Sequence, residues 1–306
     1  MSEKYKITYR NDFVFKKTLA GDDDDSRTVL KFEIEAVTQR QFTEIVVTNG
    51  ELLGDYLRTK RHFLDIRAKA ADGEIINIEM QQGHLNQYQL QRIQMYASRS
   101  LANQKIEGEK YDALKKVEQI IFTSQNYEGE LYTKYTLKDE EGKEMKNNLI
   151  TYHIISLPHI EKVIKEKREE MSDLEILSYV YQIGIDDDIM KIANREQKKV
   201  LKIMKDKIQM VMENEEEYGY AVGEEYFEVE KEVRYADGVK YGYNKGEKIG
   251  FDKGEINMFI KFLQNKIPLS KEILQKLTTI TEEKRNHIIC NFDKIKTEED
   301  LKQFLE

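Results

Sequence analysis

The sequence predicts an α/β fold: a mixed sheet flanked by helices, followed by an α-helical C-terminal region. Three observations carry this. Alternating runs surround an Asp-Gly turn, further apolar runs of strand length follow at Val117–Phe122 and Asn148–Ile155, and helical periodicity fills the spaces between and after them.

In chain order, Asp12 to Leu19 reads as a short helix with Phe13, Phe15 and Leu19 on its apolar side. Gly21-Asp22-Asp23-Asp24-Asp25-Ser26 interrupts it. Four adjacent acids lack the alternating spacing of a calcium loop and read as a solvated turn that caps the next helix, about Arg27 to Val37. Phe42–Val47 is a strand leading to the alternating pair, Phe63–Lys69 and Glu74–Gln81, joined through Ala71-Asp72-Gly73.

Register decides what this hairpin does. With only Asp72 and Gly73 turning, Asp65 faces Met80 and the two acids point to opposite sides. With a three-residue loop and Gly73 left-handed, Ala70 faces Glu74 and Asp65 faces Glu79. The apolar residues favour the second register, which gathers Leu64, Ile66, Ala68, Ile76, Ile78 and Met80 on one face. Phe63, Asp65, Arg67, Asn77, Glu79 and Gln81 then share the other. Opposed like charges need a shared proton, an arginine or a divalent cation, and oxygen-only ligands suit Mg²⁺ or Mn²⁺. A solvated hairpin face that carries two acids is the alternative left open by geometry alone.

A long helix is expected from about Asn86 to Lys105, with Tyr88, Arg92, Tyr96 and Arg99 along one face beside Leu90, Ile93, Ala97 and Leu101. Such a stripe suits phosphate and sugar contacts, or equally a set of surface ion pairs. His62, His84, His153 and His159 lack a second ligand at metal spacing and read as structural. The polar segment from Glu128 to Asn147 reads as a surface hairpin.

Asp65 followed by Glu79-x-Gln81 resembles the metal site of PD-(D/E)XK nucleases. More narrowly, the chain resembles the Rpn family of recombination-promoting nucleases and transposase-related proteins. The likeness runs from about Asn11 to Tyr127. It includes Asn11-Asp12-Phe13-Val14-Phe15-Lys16-Lys17, the helix segment Gln91–Tyr96, and Glu107-Gly108-Glu109-Lys110-Tyr111 before the strand Val117–Phe122. A lone D-x13-E-x-Q is weak; the ordered series is more specific. The resemblance implies a restriction-endonuclease-like fold and a Mg²⁺-dependent DNA endonuclease linked to recombination or mobile elements. It implies that Asp65 and Glu79 hold the ion, the Met80 carbonyl completes the protein ligands, Asp12 lies near the metal, and the catalytic Gln81 positions the attacking water, where many of the wider superfamily keep a lysine. It also implies that Arg92, with Tyr88 and Tyr96, contacts DNA phosphate. Leu64 departs from the superfamily's common proline. Hydrolysis alone does not join strands, so transposition does not follow.

At 306 residues the chain exceeds the usual single-domain size. Four segments are expected: a nuclease-like domain at 1–157, a helical region at 158–235, a glycine-spaced helix or tether at 236–255, and a small helical module at 256–306. Gly238, Gly242, Gly246, Gly250 and Gly254 recur every fourth residue, a stripe that suits close packing against another helix or another copy of the chain, or else a charged tether. Ser270, Thr281 and Thr297-Glu298-Glu299-Asp300 are expected caps of short helices.

No run approaches a membrane span, no secretory leader is evident, and one cysteine suits a reducing cytosol. A net charge of −8 argues against DNA binding by bulk electrostatics and requires local clustering of Lys and Arg. The missing superfamily lysine and the acidic balance leave a second class open, a nuclease fold without catalysis that serves as an interaction or self-association module.

Overall fold

Two side-chain-capped helices begin the structured chain. Asn11 accepts a hydrogen bond from the Val14 amide at the start of α1 (Asp12–Leu19), and Asp23 from the Ser26 amide at the start of α2 (Asp24–Thr38). Asp24 and Asp25 thus fall inside the first turn of α2, where the helix dipole favours acids, and the helix starts three residues before the expected Arg27. This computed structural model describes residues 7–48, 51–52, 62–63, 65–83, 85–104, 111–166 and 170–305. Leu64, His84 and the Glu107–Lys110 part of the resembling motif lie outside the described residues, as do the side chains of His62 and Phe63.

The strands follow as β1 (Ile45–Thr48), β2 (Glu51–Leu52), β3 (His62–Phe63), β4 (Ile66–Ala70) and β5 (Ile75–Gln81). After α3 (Gln87–Ala102) come β6 (Val117–Thr123), β7 (Tyr132–Tyr135) and β8 (Ile150–Ser156). Six of them form one sheet in the order β1-β4-β5-β6-β8-β7, while β2 and β3 pair with each other. β5, β6 and β8 are mutually parallel; β1, β4 and β7 run antiparallel to their neighbours. The sheet is mixed, as expected.

The β4–β5 ladder pairs Ile66 with Ile78, Arg67 with Asn77, Ala68 with Ile76 and Lys69 with Ile75. Gly73 has φ +94°, and the Ala70 amide donates to the Glu74 carbonyl at 2.9 Å, so the loop is the three-residue one. In consequence Ile66, Ala68, Ile76, Ile78 and Met80 join the main core with α1 and α2. On the other face α3 covers Ile75, Val117, Ile121 and Ile154 with Ala97 and Ile93. Ile78 is fully buried, and truncating such a residue to Ala costs about 2–5 kcal/mol.

β7 is an edge strand in the segment expected to be only a surface hairpin. The hairpin itself exists farther out, as a Lys138–Glu144 bridge around Gly142 at φ +81°. Glu128 and Glu130 shortly before it and Lys134 within it mask a short strand that needs one neighbour only.

The N-terminal ends of β5 and β6 are tied by charge. Arg40 reaches Glu74 at 3.1 and 2.7 Å and Glu118 at 2.9 Å. Glu118 also meets His153 Nε2 at 2.9 Å, and His153 Nδ1 lies 2.8 Å from the Tyr132 hydroxyl. His153 is therefore a satisfied buried residue.

The later helices are α4 (Ile160–Glu166), α5 (Asp173–Gln182), α6 (Asp187–Ile192), α7 (Arg195–Glu213), α8 (Glu215–Gln264), α9 (Lys271–Leu277), α10 (Glu282–Cys290) and α11 (Glu298–Leu305). No division of the core falls at residue 157: Ile176, Leu177, Val180, Val200, Leu201 and Met204 pack into the same cluster as the sheet. The compact units are instead Met1–Glu230 and Lys231–Glu306.

The second unit has its own core of Phe259, Leu263, Ile273, Leu277, Ile288, Ile295 and Leu301. Ser270 and Thr281 cap α9 and α10, and Thr297 and Asp300 exchange the two bonds of a capping box. The glycine-spaced stretch is helix, and a Cβ at Gly238, Gly242, Gly246, Gly250 or Gly254 would meet nothing within 4 Å.

Candidate active site

β5 is packed on both faces, yet its α3 face carries Asn77, Glu79 and Gln81. Asn77 Nδ2 donates to Ser100 Oγ and Gln119 Oε1, each at 3.0 Å, while its Oδ1 is buried without a hydrogen-bond partner. Glu79 is only 2% exposed. Its Oε2 accepts from Gln81 Nε2 at 3.0 Å and faces Arg92 Nη2 at 3.6 Å, whereas its Oε1 is buried without a hydrogen-bond partner.

Asp65 directly precedes β4, and one step beyond the Ile66–Ile78 pair the ladder sets it beside Glu79. The Ala70 amide donates to the Glu74 carbonyl, so alternation makes 65/79 a non-bonded pair, the kind with the closer side chains. The Met80 amide points toward the β4 side and donates to Asp65 Oδ2 at 2.8 Å. In an extended strand the carbonyl of a residue shares the side of its amide, so the Met80 carbonyl faces the same edge as Asp65.

Burial raises the Glu79 carboxyl to about 8, with the Asp65 charge pushing the same way against Arg92 and Gln81. Burial likewise raises Asp65 to about 6, opposed first by the Met80 amide and reinforced by Asp12. Each acid is held protonated into a range where a dication would ionise it. The orphaned Glu79 Oε1 supplies a free acceptor, so the donor set fits a hard divalent ion.

α1 adds a residue that the sequence did not single out. Lys16 Nζ bonds Asp12 at 2.8 Å and lies 4.0 Å from Asp65 Oδ1. Asp12 is thereby engaged by a cation, and among the described residues no three acids, histidines or cysteines gather as a metal cage. Asp12, Lys16 and Lys17 of α1 also line a groove of about 430 Å³ with Tyr220 and Glu224. The signal for Lys16 was its place in the quoted opening motif; its proximity to Asp65 needed the tertiary fold.

The Arg92 guanidinium sits 5.6 Å above the Tyr96 ring, with its Nε buried and unpartnered. Arg99, two turns on, also buries an unpartnered guanidinium nitrogen. Tyr96 is buried behind Arg92, and Tyr88 is 65% exposed at the helix start. Arg67, on the Asp65 face of β4, has its pKa lowered by burial.

A mixed sheet with two carboxyls at the carboxyl end of a central strand, backed by arginine, defines a nuclease-like α/β domain. The sequence model for the PD-(D/E)XK nuclease family transposase matches residues 9–236, well over half of the chain, and the chain belongs to that family. No curated protein and no solved structure matches the chain. No helix among the described residues is long and apolar enough to cross a membrane.

Proposed function

We propose that the chain is a metal-dependent endodeoxyribonuclease, with Mg²⁺ or Mn²⁺ held by Asp65, Glu79 and the Met80 carbonyl. The observation that carries it is the buried Glu79 carboxyl, one oxygen unpartnered, beside Asp65 and Arg92. When bound, such an ion polarises the scissile phosphate and lowers the pKa of a water molecule.

The chain's own groups do the rest. Gln81 fixes the Glu79 rotamer through its 3.0 Å bond, and the Met80 amide fixes that of Asp65. Arg92 exchanges its long contact with Glu79 for a phosphate oxygen, with the Tyr96 ring holding its plane. Lys16 supplies positive charge next to Asp65, which Gln81 cannot. Arg92, Tyr88 and Tyr96 lie along the DNA track, and Asp12 acts through Lys16.

In this reading the enzyme serves recombination or a mobile element, works in the cytoplasm, and self-associates through α8. That helix exposes Tyr241, Tyr243 and Phe251 alongside its glycines.

Supercoiled-plasmid nicking tests it, with wild type and Asp65→Ala, each in Mg²⁺ and in EDTA. Nicking that needs metal and disappears in the variant is expected. Equal inactivity of both proteins would reject the enzyme in favour of a non-catalytic association module.

A further inference from the structure

α7 turns its apolar face, Val200, Leu201, Met204 and Val211, into the core it shares with α1 and α2. Its outward face carries a run of cations. Arg195, Lys198, Lys199, Lys202 and Lys205 line a groove of about 540 Å³, and the one acid lining it is Asp206. At 100° per residue these five positions fall within about a third of the helix circumference, and over ten residues they extend about 15 Å.

Several lysines on other helices are neutralised by a neighbouring acid. Lys31 lies 3.8 Å from Glu35, Lys276 3.1 Å from Glu272, and Lys302 2.7 Å from Glu299. On α7 itself Lys207 bonds Asp23 at 2.6 Å. None of the five groove cations has an ion-pair partner among the described residues. In a chain of net charge −8, five unpaired cations along one groove form a local field opposite in sign to the whole.

We infer that this groove is a second nucleic-acid contact, a track for the phosphate backbone of duplex DNA apart from the Asp65–Glu79 centre. Phosphates on one strand recur about every 3.4 Å along the duplex axis, so a 15 Å stripe spans about four of them. Flexible ammonium groups read charge and not base edges, so the contact is indifferent to sequence. α7 packs against α1, the helix that carries Asp12 and Lys16, so backbone held on α7 is held on the scaffold of the catalytic centre. The inference rests on the DNA substrate of the function proposed above. It adds how an acidic protein retains a polyanion.

The test is fluorescence anisotropy with a labelled 20-base-pair duplex in EDTA across a NaCl series. It compares wild type with the quadruple variant Lys198→Gln, Lys199→Gln, Lys202→Gln, Lys205→Gln. Each phosphate contact contributes about 0.9 to the slope of log K against log salt, so losing four is expected to lower the slope by about 3.6, with affinity down at least about 100-fold at 100 mM. A control variant, Lys271→Gln, Lys276→Gln, Lys284→Gln, Lys302→Gln, removes equal charge from the second unit and is expected to bind as wild type. All eight side chains lie at the surface, and circular dichroism verifies folding.

Unchanged slope in the α7 variant, equal losses in both variants, or wild-type binding to phosphatidylserine vesicles but not to duplex would each overturn the inference. Plasmid nicking separates the two claims. Duplex binding that depends on α7 in a protein with no metal-dependent nicking rejects the nuclease and keeps the track. Asp65-dependent nicking with unchanged salt response in the α7 variant does the reverse.

Discussion

Arg92 Nη2 stands 3.6 Å from Oε2 of Glu79, too far for a strong hydrogen bond and close enough to offset its charge. A guanidinium so placed is available to a phosphate. Arg92→Ala is expected to lower nicking rates about 10²- to 10³-fold with the fold intact. Arg92→Lys keeps the charge but loses the planar fork and the stacking on Tyr96, and is expected to fall between. Single-turnover kinetics on a nicked-circle readout measures both.

Lys16 is 42% exposed in its side chain, so replacing it leaves the core untouched. Lys16→Ala is expected to slow the chemical step about 100-fold while leaving duplex affinity within a few-fold. Lys16→Arg recovers part of the rate. A variant as fast as wild type would assign Lys16 to surface pairing with Asp12 alone.

Metal binding is readable without catalysis. With Glu79 raised to about 8 and Asp65 to about 6, an ion must displace protons, so its affinity is expected to climb between pH 6 and 8. At a concentration a hundredfold above Kd, Mn²⁺ stabilises the fold by about 2.7 kcal/mol, roughly 5–10 °C in Tm. Differential scanning fluorimetry of wild type and Glu79→Gln checks this; the variant is expected to show no shift.

Glu33 gives a pH dependence away from the site. Its carboxyl, wholly buried, accepts a hydrogen bond from the Tyr181 hydroxyl, and burial raises it to about 8. The folded state therefore binds the extra proton between the unfolded value of 4.5 and about 8. Stability from this group is full below that window, declines through it and levels off above. Glu33→Gln is expected to flatten the decline, which is on the order of a few kcal/mol, in urea titrations at pH 5 and pH 8.

The hairpin register was legible because two local facts agreed: alternation from Ile66 to Met80, and a glycine positioned for positive φ at 73. Asp65 and Glu79 lie side by side because strand periodicity fixes which residues share a face; the nearness of Arg92 followed from the family resemblance and not from periodicity, which leaves the docking of α3 open. Lys16 escaped because its approach to Asp65 is set by how α1 docks on the core, which no local pattern encodes. β7 escaped because edge strands need little hydrophobicity. The packing of α5 and α7 into the sheet's core was also hidden, since amphipathic helices show that a face is buried but not against what. Glycines at every fourth position left helix and tether equally open; the chain adopts helix.

The bonds joining Arg40, Glu74, Glu118, His153 and Tyr132 rivet the amino-terminal rim of the parallel strands. Glu79 and Gln81 occupy the opposite rim, where the Ser124 hydroxyl bonds the Gln82 carbonyl and the Ser156 hydroxyl bonds the Gln125 carbonyl. Both ends of the parallel strands are therefore laced together by side chains. A long polymer would meet the carboxyls on a rim already held in shape.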